Sequence, residues 1–468
     1  MNRVYEGFET KENYYVYDRN KDKIIKVLQD EYELLTSIDN DNEFEENSRK
    51  FKKYTKQGFL CQSTLKRIKN PYEDTIEDRV SNKAGQMVLQ LTQCCNLRCS
   101  YCFYGEGNYD NRSHSNKKMS FEMAKKGIDY LFEHSKDLHK IRFSFYGGEP
   151  LLEMDLIKKC VDYIEHKKEG KLIKYNLTTN GTLFCDDNIK YFIKNDFELT
   201  ISLDGTREQH NLNRKFANGE GSFDKVIENV RYIKQEYPEL FDNLTFNTVI
   251  STKSDFNCIK NFYDDDSIMK DAMVITNMLT EAYSTSKHYY DEGYILSHKY
   301  GKFKALLMAL GKLDKKYVSR LFYPIIRELR FTYSKFSESN FLPEEFHPGG
   351  PCIAGTTRIF LNADGNFYTC ERVSEKSKNA IIGNVHNGMN IDKIKKIINL
   401  GKVTEKECLE CWAFRYCTTC LALMDDTEEL SRELRLKKCS GIKNALLEEF
   451  KDICMLKEFG FDFEGEYI

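Results

Sequence analysis

Between residues 86 and 250 the chain alternates between short β-branched or aromatic runs and longer amphipathic runs. MVLQLT, IRFSFYGG, YNLTTNG, FELTISLDG and LTFNTVI have strand character, whereas FEMAKKGIDYLFEHS, LLEMDLIKKCVDYIEHKK, DDNIKYFIKN and FDKVIENVRYIKQEY carry apolar residues at helical spacing. Such alternation leaves few folds open. Consecutive strands must lie parallel, joined by right-handed crossover helices. The expected class is α/β, a partial (β/α)6 barrel of TIM type. Its functional groups are expected on loops at the carboxyl ends of the strands.

At 468 residues the chain is longer than one ordinary domain. Residues 1–80 read as a separate unit. VYEGFETKENYYVYDRNKDKIIKV gives short strands with a polar turn at Asp18, Asn20 and Asp22. A helix follows with Leu28, Tyr32, Leu35 and Ile38 on one face, and FEENSRKFKKYTKQ predicts another that stops at Gly58. The barrel is expected over 81–254, a mostly helical bridge over 255–345, and a cysteine-bearing unit over 346–468. The formal net charge of −3 gives no global drive toward nucleic acid or a bilayer, and neither is expected as a partner. No apolar run reaches the roughly 18 residues a membrane helix needs. The N-terminus lacks an apolar signal core, so a cytoplasmic protein is expected. Residues 47–70 depart from the average, with eight Lys/Arg and no acid. They suit either a solvated helix face or a dock for an acidic peptide.

Sixteen cysteines in a chain expected in a reducing compartment point to metal ligation rather than disulfides. Cys95, Cys99 and Cys102 stand in LTQCCNLRCSYCFYGEG directly after a strand, spaced C-x3-C-x2-C. Three thiolates hold three irons of a cubane and leave the fourth open. A zinc site would want a fourth ligand that this loop does not supply. Cys94 is out of phase and reads as a structural neighbour. Cys61, Cys160, Cys185, Cys258 and Cys454 are isolated and are expected to be buried packing residues. The triad, with Asn96-Leu97 inside it and Tyr101 before its last cysteine, resembles the signature of the radical S-adenosylmethionine (SAM) superfamily. The resemblance implies a [4Fe–4S] cluster whose open iron chelates SAM, and reductive cleavage to a 5′-deoxyadenosyl radical. It also implies SAM contacts at the later strand ends. Gly147-Gly148-Glu149 resembles the family's GGE motif, with Glu149 accepting from the SAM ammonium. Tyr101 would pack near the adenine or serve as a plain core residue, Asn180 would meet the ribose, Ser202 and Asp204 would add SAM contacts at the end of the next strand, and Arg214 would pair with the SAM carboxylate.

Farther on, Cys352 and Cys370 flank a turn at Asp364-Gly365. Cys408, Cys411, Cys417 and Cys420 follow as C-x2-C-x5-C-x2-C, then Cys439. Seven cysteines are one short of two cubanes, and a pair of zinc-ribbon sites is the other reading. The pattern resembles the SPASM extension of radical SAM enzymes, although x2 replaces the family's x3 in the last pair. The resemblance implies two auxiliary [4Fe–4S] clusters and three in all. Cluster I would use Cys352, Cys370 and Cys420 and have one iron open; cluster II would use Cys408, Cys411, Cys417 and Cys439.

Residues 1–80 resemble the PqqD-like, winged-helix-like domain that binds leader peptides by strand addition. Together the three parts resemble thioether-forming maturases of ribosomally made peptides, of the sactipeptide and ranthipeptide type. The partners so implied are a precursor peptide with its leader and an electron donor such as flavodoxin or ferredoxin. The alternatives are formylglycine formation of the anaerobic sulfatase-maturase type, another crosslink or epimerisation, and a non-catalytic iron–sulfur sensor or peptide carrier.

Overall fold

The computed structural model describes residues 3–38, 41–105, 109, 111–338, 341–348 and 352–465. Three antiparallel strands, β1 (Tyr5–Glu9), β2 (Tyr14–Asp18) and β3 (Lys23–Val27), form the N-terminal sheet. A short β4 (Arg67–Ile68) precedes six strands that run parallel in sequence order: β5 (Gln86–Thr92), β6 (Lys140–Gly147), β7 (Leu172–Thr179), β8 (Phe197–Ser202), β9 (Thr245–Ile250) and β10 (Met273–Met278). β11 (Glu345–Phe346) returns to pair with β4. The remaining strands are β12 (Ile359–Leu361), β13 (Asn366–Tyr368), β14 (Ile381–Asn384) and β15 (Gly388–Met389).

The α/β partial barrel is therefore present, and it has a sixth strand beyond the expected boundary at 254. β10 was hidden in the stretch read as helical because it is an edge strand. It pairs only with β9 among the described residues and is exposed along most of its length, so no apolar alternation marks it. The stretch 255–345 also holds the helices Glu292–Ala309 and Tyr323–Glu338. At the opposite edge β12 joins β5 in parallel register, and β13, β14 and β15 continue the same sheet as an antiparallel meander. The C-terminal cysteine unit is thus built onto the barrel wall.

β6 shows how sequence sets the wall. Ile141, Phe143 and Phe145 point to the helix layer and are buried, each stabilising the fold by about 1.5–3 kcal/mol. Their alternates Arg142, Ser144 and Tyr146 face a polar lumen cavity of about 250 Å³. There Arg142 donates to Asn176 (2.7 Å) and Glu198 (2.5 Å), and Arg358 meets Glu371 (2.6 Å), so the lumen charges are paired.

The N-terminal helix expected to end at Gly58 is split into Asp41–Glu46 and Ser48–Thr55. Half of the basic run beside it is met by this chain's own acids: Lys53 by Glu31, Lys66 by Glu344, Arg67 by Glu345 and Lys69 by Asp74. Arg49, Lys50, Lys52 and Lys56 stay exposed. One face of the sheet packs on the C-terminal helix Cys439–Glu458, where Phe8, Tyr15 and Tyr17 join Leu446 and Phe450. Thr10, Asn13 and Tyr15 all donate to Glu458 at 2.7 Å. No helix among the described residues is long and apolar enough to cross a membrane.

Candidate active site

The barrel's carboxyl-terminal mouth opens into a cavity of about 630 Å³. Cys95, Cys99 and Cys102 line it, with Tyr101, Gly147, Gly148, Glu149, Asn180, Ser202 and Arg214. The strand-end rule thus gathers nearly all the expected residues. The exception is Asp204, which is wholly enclosed and does not reach the cavity.

The cysteine loop is seated by backbone contacts that only glycine permits. Gly148 N donates to Thr92 O, and Glu149 N to Cys94 O, both at 2.9 Å. A Cβ on Gly148 would stand 2.2 Å from Cys94 O. Gly147, at φ +147°, would put one 2.3 Å from Thr92 O. The close approach that the paired glycines permit is first of all that of the cysteine loop itself. Cys94 contributes its carbonyl to that seat.

Asn180 also faces inward to the loop. Its side-chain amide donates to Asn96 Oδ1 (2.8 Å) and lies 3.8 Å from Cys95 Sγ, while its Oδ1 accepts from Thr182. Its amide is therefore occupied in holding the loop rather than open toward a ribose. Asn96, part of the motif between the first two cysteines, closes the network by donating to Thr182 Oγ1 (2.8 Å).

Glu149 is buried and accepts from Leu151 N (3.1 Å), Thr179 Oγ1 (2.7 Å) and Asn180 N (2.8 Å). Burial outweighs these three bonds and pushes its carboxyl up to about 7. Its hydrogen-bond donors are all neutral.

Asp204 clamps two cavity residues. One carboxylate oxygen accepts from the Tyr101 hydroxyl and from Arg214 Nε (3.0 Å); the other accepts from Val249 N (2.9 Å). The Arg214 guanidinium stacks 5.3 Å from the centre of the Tyr101 ring. Asp204 is thus a positioning residue where a ligand contact was expected, because its side chain points behind β8 into the pair it orients. Behind it, His210 Nδ1 accepts from Asp204 N and Nε2 pairs with Ser222. Burial holds this imidazole down at about 3, hence neutral. Neither His210 nor Ser222 carries a motif that sequence would flag.

Burial pushes the Cys95, Cys99 and Cys102 thiols up. Glu149, Cys99 and Cys102 add to the effect at Cys95, and Arg214 opposes it at Cys99. Buried thiolates that repel one another need a cationic centre, so the donor set fits a metal cluster. Among the described residues no three His, Cys, Asp or Glu side chains converge to hold one ion. A cubane differs in spreading its thiolates over separate irons.

The seven C-terminal cysteines fall into two mutually repelling sets. Cys420 interacts with Cys370 and Cys352; Cys411 and Cys439 each interact with Cys408 and Cys417. Burial is the largest influence and pushes Cys370 and Cys411 each up to about 11. Cys420 lines the same cavity as the barrel triad, as do Arg372 and Thr418. All sixteen cysteines are free. Of the isolated ones, Cys160 and Cys454 are buried, but Cys185 and Cys258 are exposed and Cys61 is half-buried. Cys185 caps the helix Asp186–Lys194 and Cys258 sits in the first turn of Phe256–Asp265, positions that face solvent and correct the expected packing role.

Residues 89–264 match the Radical SAM superfamily. This part of the chain is a radical SAM domain. It covers β6 to β9 and most of β5, and leaves β10 outside. The chain is similar to cysteine-type anaerobic sulfatase-maturating enzymes. It is 32% identical to that of Clostridium novyi (strain NT) over 151 residues, 32% of this chain and 40% of the relative, so the matched stretch spans less than half of that protein. It is 27% identical to that of Clostridium perfringens (strain ATCC 13124) over 363 residues, 74% of this chain and 91% of the relative. In fold it resembles native anSMEcpe with bound AdoMet, at a TM-score of 0.56 and 21% identity over 78% of this chain and 99% of that one. Radical SAM proteins bind a [4Fe–4S] cluster and SAM, and the cavity built on Cys95, Cys99, Cys102 and Glu149 is where this domain would hold them.

Proposed function

We propose that the chain is a radical SAM maturase of a ribosomally made peptide that forms a thioether crosslink at a peptide cysteine. Three [4Fe–4S] clusters serve it: one on Cys95, Cys99 and Cys102, one on Cys352, Cys370 and Cys420, and one on Cys408, Cys411, Cys417 and Cys439. When bound, the first cluster supplies the electron that splits SAM into methionine and a 5′-deoxyadenosyl radical. The chain's own part is to hold and shield. Glu149 takes the SAM ammonium and Arg214, oriented by Asp204, its carboxylate. Tyr101 and Ser202 line the remaining wall.

The observation that carries this reading is the shared cavity. Cys420, from the C-terminal set, faces the same space as the barrel triad. A substrate thiol and a substrate carbon held there would be exposed to both sites at once. β3 supports the leader assignment: among the described residues its only partner is β2, which leaves its outer edge open for strand addition. An electron donor of the flavodoxin or ferredoxin type would complete the system.

Formylglycine formation is the second reading, favoured by the alignment over 91% of the Clostridium perfringens enzyme. Mass spectrometry decides between them. Reduced enzyme, SAM and the cognate precursor should give a peptide about two mass units lighter, as loss of two hydrogens requires. Cys99→Ala should abolish both this product and 5′-deoxyadenosine. A hydrazide-reactive aldehyde at the cysteine would favour formylglycine. Unchanged peptide with accumulating 5′-deoxyadenosine would sink the thioether assignment.

A further inference from the structure

The turn between β2 and β3 enters the C-terminal cysteine unit. Arg19, at its head, is fully buried. Its Nη1 donates to the carbonyls of Leu409 (2.6 Å) and Cys411 (3.3 Å), and its Nη2 to Ser63 Oγ (2.5 Å). Arg415 reciprocates from the cysteine loop, with Nε on Arg19 O and Nη2 on Asn20 O, both at 2.8 Å. Tyr17 packs edge-on against Trp412 and Tyr416 beside this contact.

The charge balance at Arg19 is unusual. A buried guanidinium ordinarily meets a carboxylate, because the desolvation penalty of an uncompensated ion is several kcal/mol. Here the direct partners are two carbonyls and a hydroxyl, and Nε has none among the described residues. The acids of the same turn make no hydrogen bond to Arg19 among the described residues, although Asp18 acts on its charge from nearby. Asp18 accepts from Lys21 N (2.9 Å) and Leu60 N (2.5 Å), and Asp22 from the Tyr17 hydroxyl (2.7 Å). Of the charges that favour the cationic form of Arg19, Cys411 acts on it most strongly, ahead of Asp18, and Cys411 belongs to the set with Cys408, Cys417 and Cys439. Four thiolates around a [4Fe–4S] core leave that group net negative.

We propose that Arg19 is the internal counter-ion of the cluster held by Cys408, Cys411, Cys417 and Cys439, so that the N-terminal domain supplies the charge and pins the loop of a site some 400 residues away in sequence. The inference rests on reading those four cysteines as cluster ligands. Two consequences follow from the geometry. The guanidinium fixes the Leu409 and Cys411 carbonyls, which shapes the turn from Cys408 to Cys411, where Cys411 N donates to Cys408 O (3.2 Å). Its fixed positive charge favours the more negative, reduced form of the cluster, so its loss makes reduction harder.

The test uses the full chain, reconstituted anaerobically, and reads iron content and midpoint potentials by redox-titrated EPR. Arg19→Gln should either lose about four irons per chain or shift one cluster's midpoint to more negative potential, with the other clusters unchanged. Arg19→Lys, which keeps the charge, should restore the potential while recovering the loop geometry only in part. Arg3→Gln is the control for general damage to the N-terminal domain, since Arg3 bonds Asp41, Glu45 and Leu60 O, all within that domain; it should change neither readout. Wild-type iron and unchanged potentials in Arg19→Gln would overturn the proposal, as would an equal change in Arg3→Gln. If Cys408→Ala/Cys411→Ala removes no iron from the otherwise intact chain, the ligand reading itself fails, and the counter-ion role falls with it.

Discussion

The two cysteine loops do similar work by different means. The barrel loop is seated by residues at the ends of successive strands of its own domain: Thr92, Gly147, Gly148, Asn180 and, behind the cavity, Asp204 with Arg214. The loop from Cys408 to Cys420 has no such frame. It is held from outside by Arg19 and, through Cys408, by Thr404, whose hydroxyl lies 3.3 Å from Cys408 Sγ and accepts from Arg435 Nε at 2.8 Å. A parallel barrel delivers its strand ends to one mouth, so a site there is assembled by topology. A loop off the barrel must recruit its support from whatever packs on it.

This difference sets the ranking of the expected effects. Asp204→Asn should be the most damaging. It leaves the buried Arg214 without its carboxylate, and breaking such a pair costs about 3–5 kcal/mol. Thermal melts of the SAM-free protein should show the loss, with SAM affinity reduced in parallel. A melt and affinity like wild type would mean that Asp204 does not frame the site.

Glu149 comes next. Its carboxyl is held up at about 7 by burial, against an ordinary value near 4.5. The folded state therefore keeps a proton over a range where the unfolded chain has lost it. The contribution is fully present below about pH 4.5 and is lost as pH rises through about 7, an amount of roughly 3 kcal/mol. Melting temperatures of the SAM-free protein between pH 5 and 8 should fall more steeply in wild type than in Glu149→Gln. Parallel slopes would remove Glu149 from the account.

Thr404→Val should be the mildest, about 1 kcal/mol for a lost hydrogen bond with partial relaxation. It should act on the C-terminal loop alone, leaving 5′-deoxyadenosine formation at wild-type rate. Impaired SAM cleavage in this variant would mean that the two loops are not independently supported.

Much of the barrel site was legible in the sequence because its residues sit in contiguous motifs tied to strand ends, as in Gly147-Gly148-Glu149. What those residues do was less legible. Asp204 and Asn180 turned out to orient neighbours, since a side chain's direction at a strand end depends on which elements crowd behind it. β10 escaped notice because an exposed edge strand lacks the alternation that burial imposes. The exposure of Cys185 and Cys258 was unreadable for a related reason: a lone cysteine carries no periodicity of its own.

By itself the sequence determined the alternating α/β order, the spacing of the thiols and the placement of polar groups after each strand. These follow from periodicity and local chain geometry, which act over a few residues. Only the tertiary structure decided that Cys420 shares a cavity with Cys95, Cys99 and Cys102, and that Arg19 reaches the carbonyl of Cys411. Such contacts join segments hundreds of residues apart. They are fixed by the packing of the N-terminal sheet on the C-terminal helix and of β12 on β5, and no local pattern encodes them.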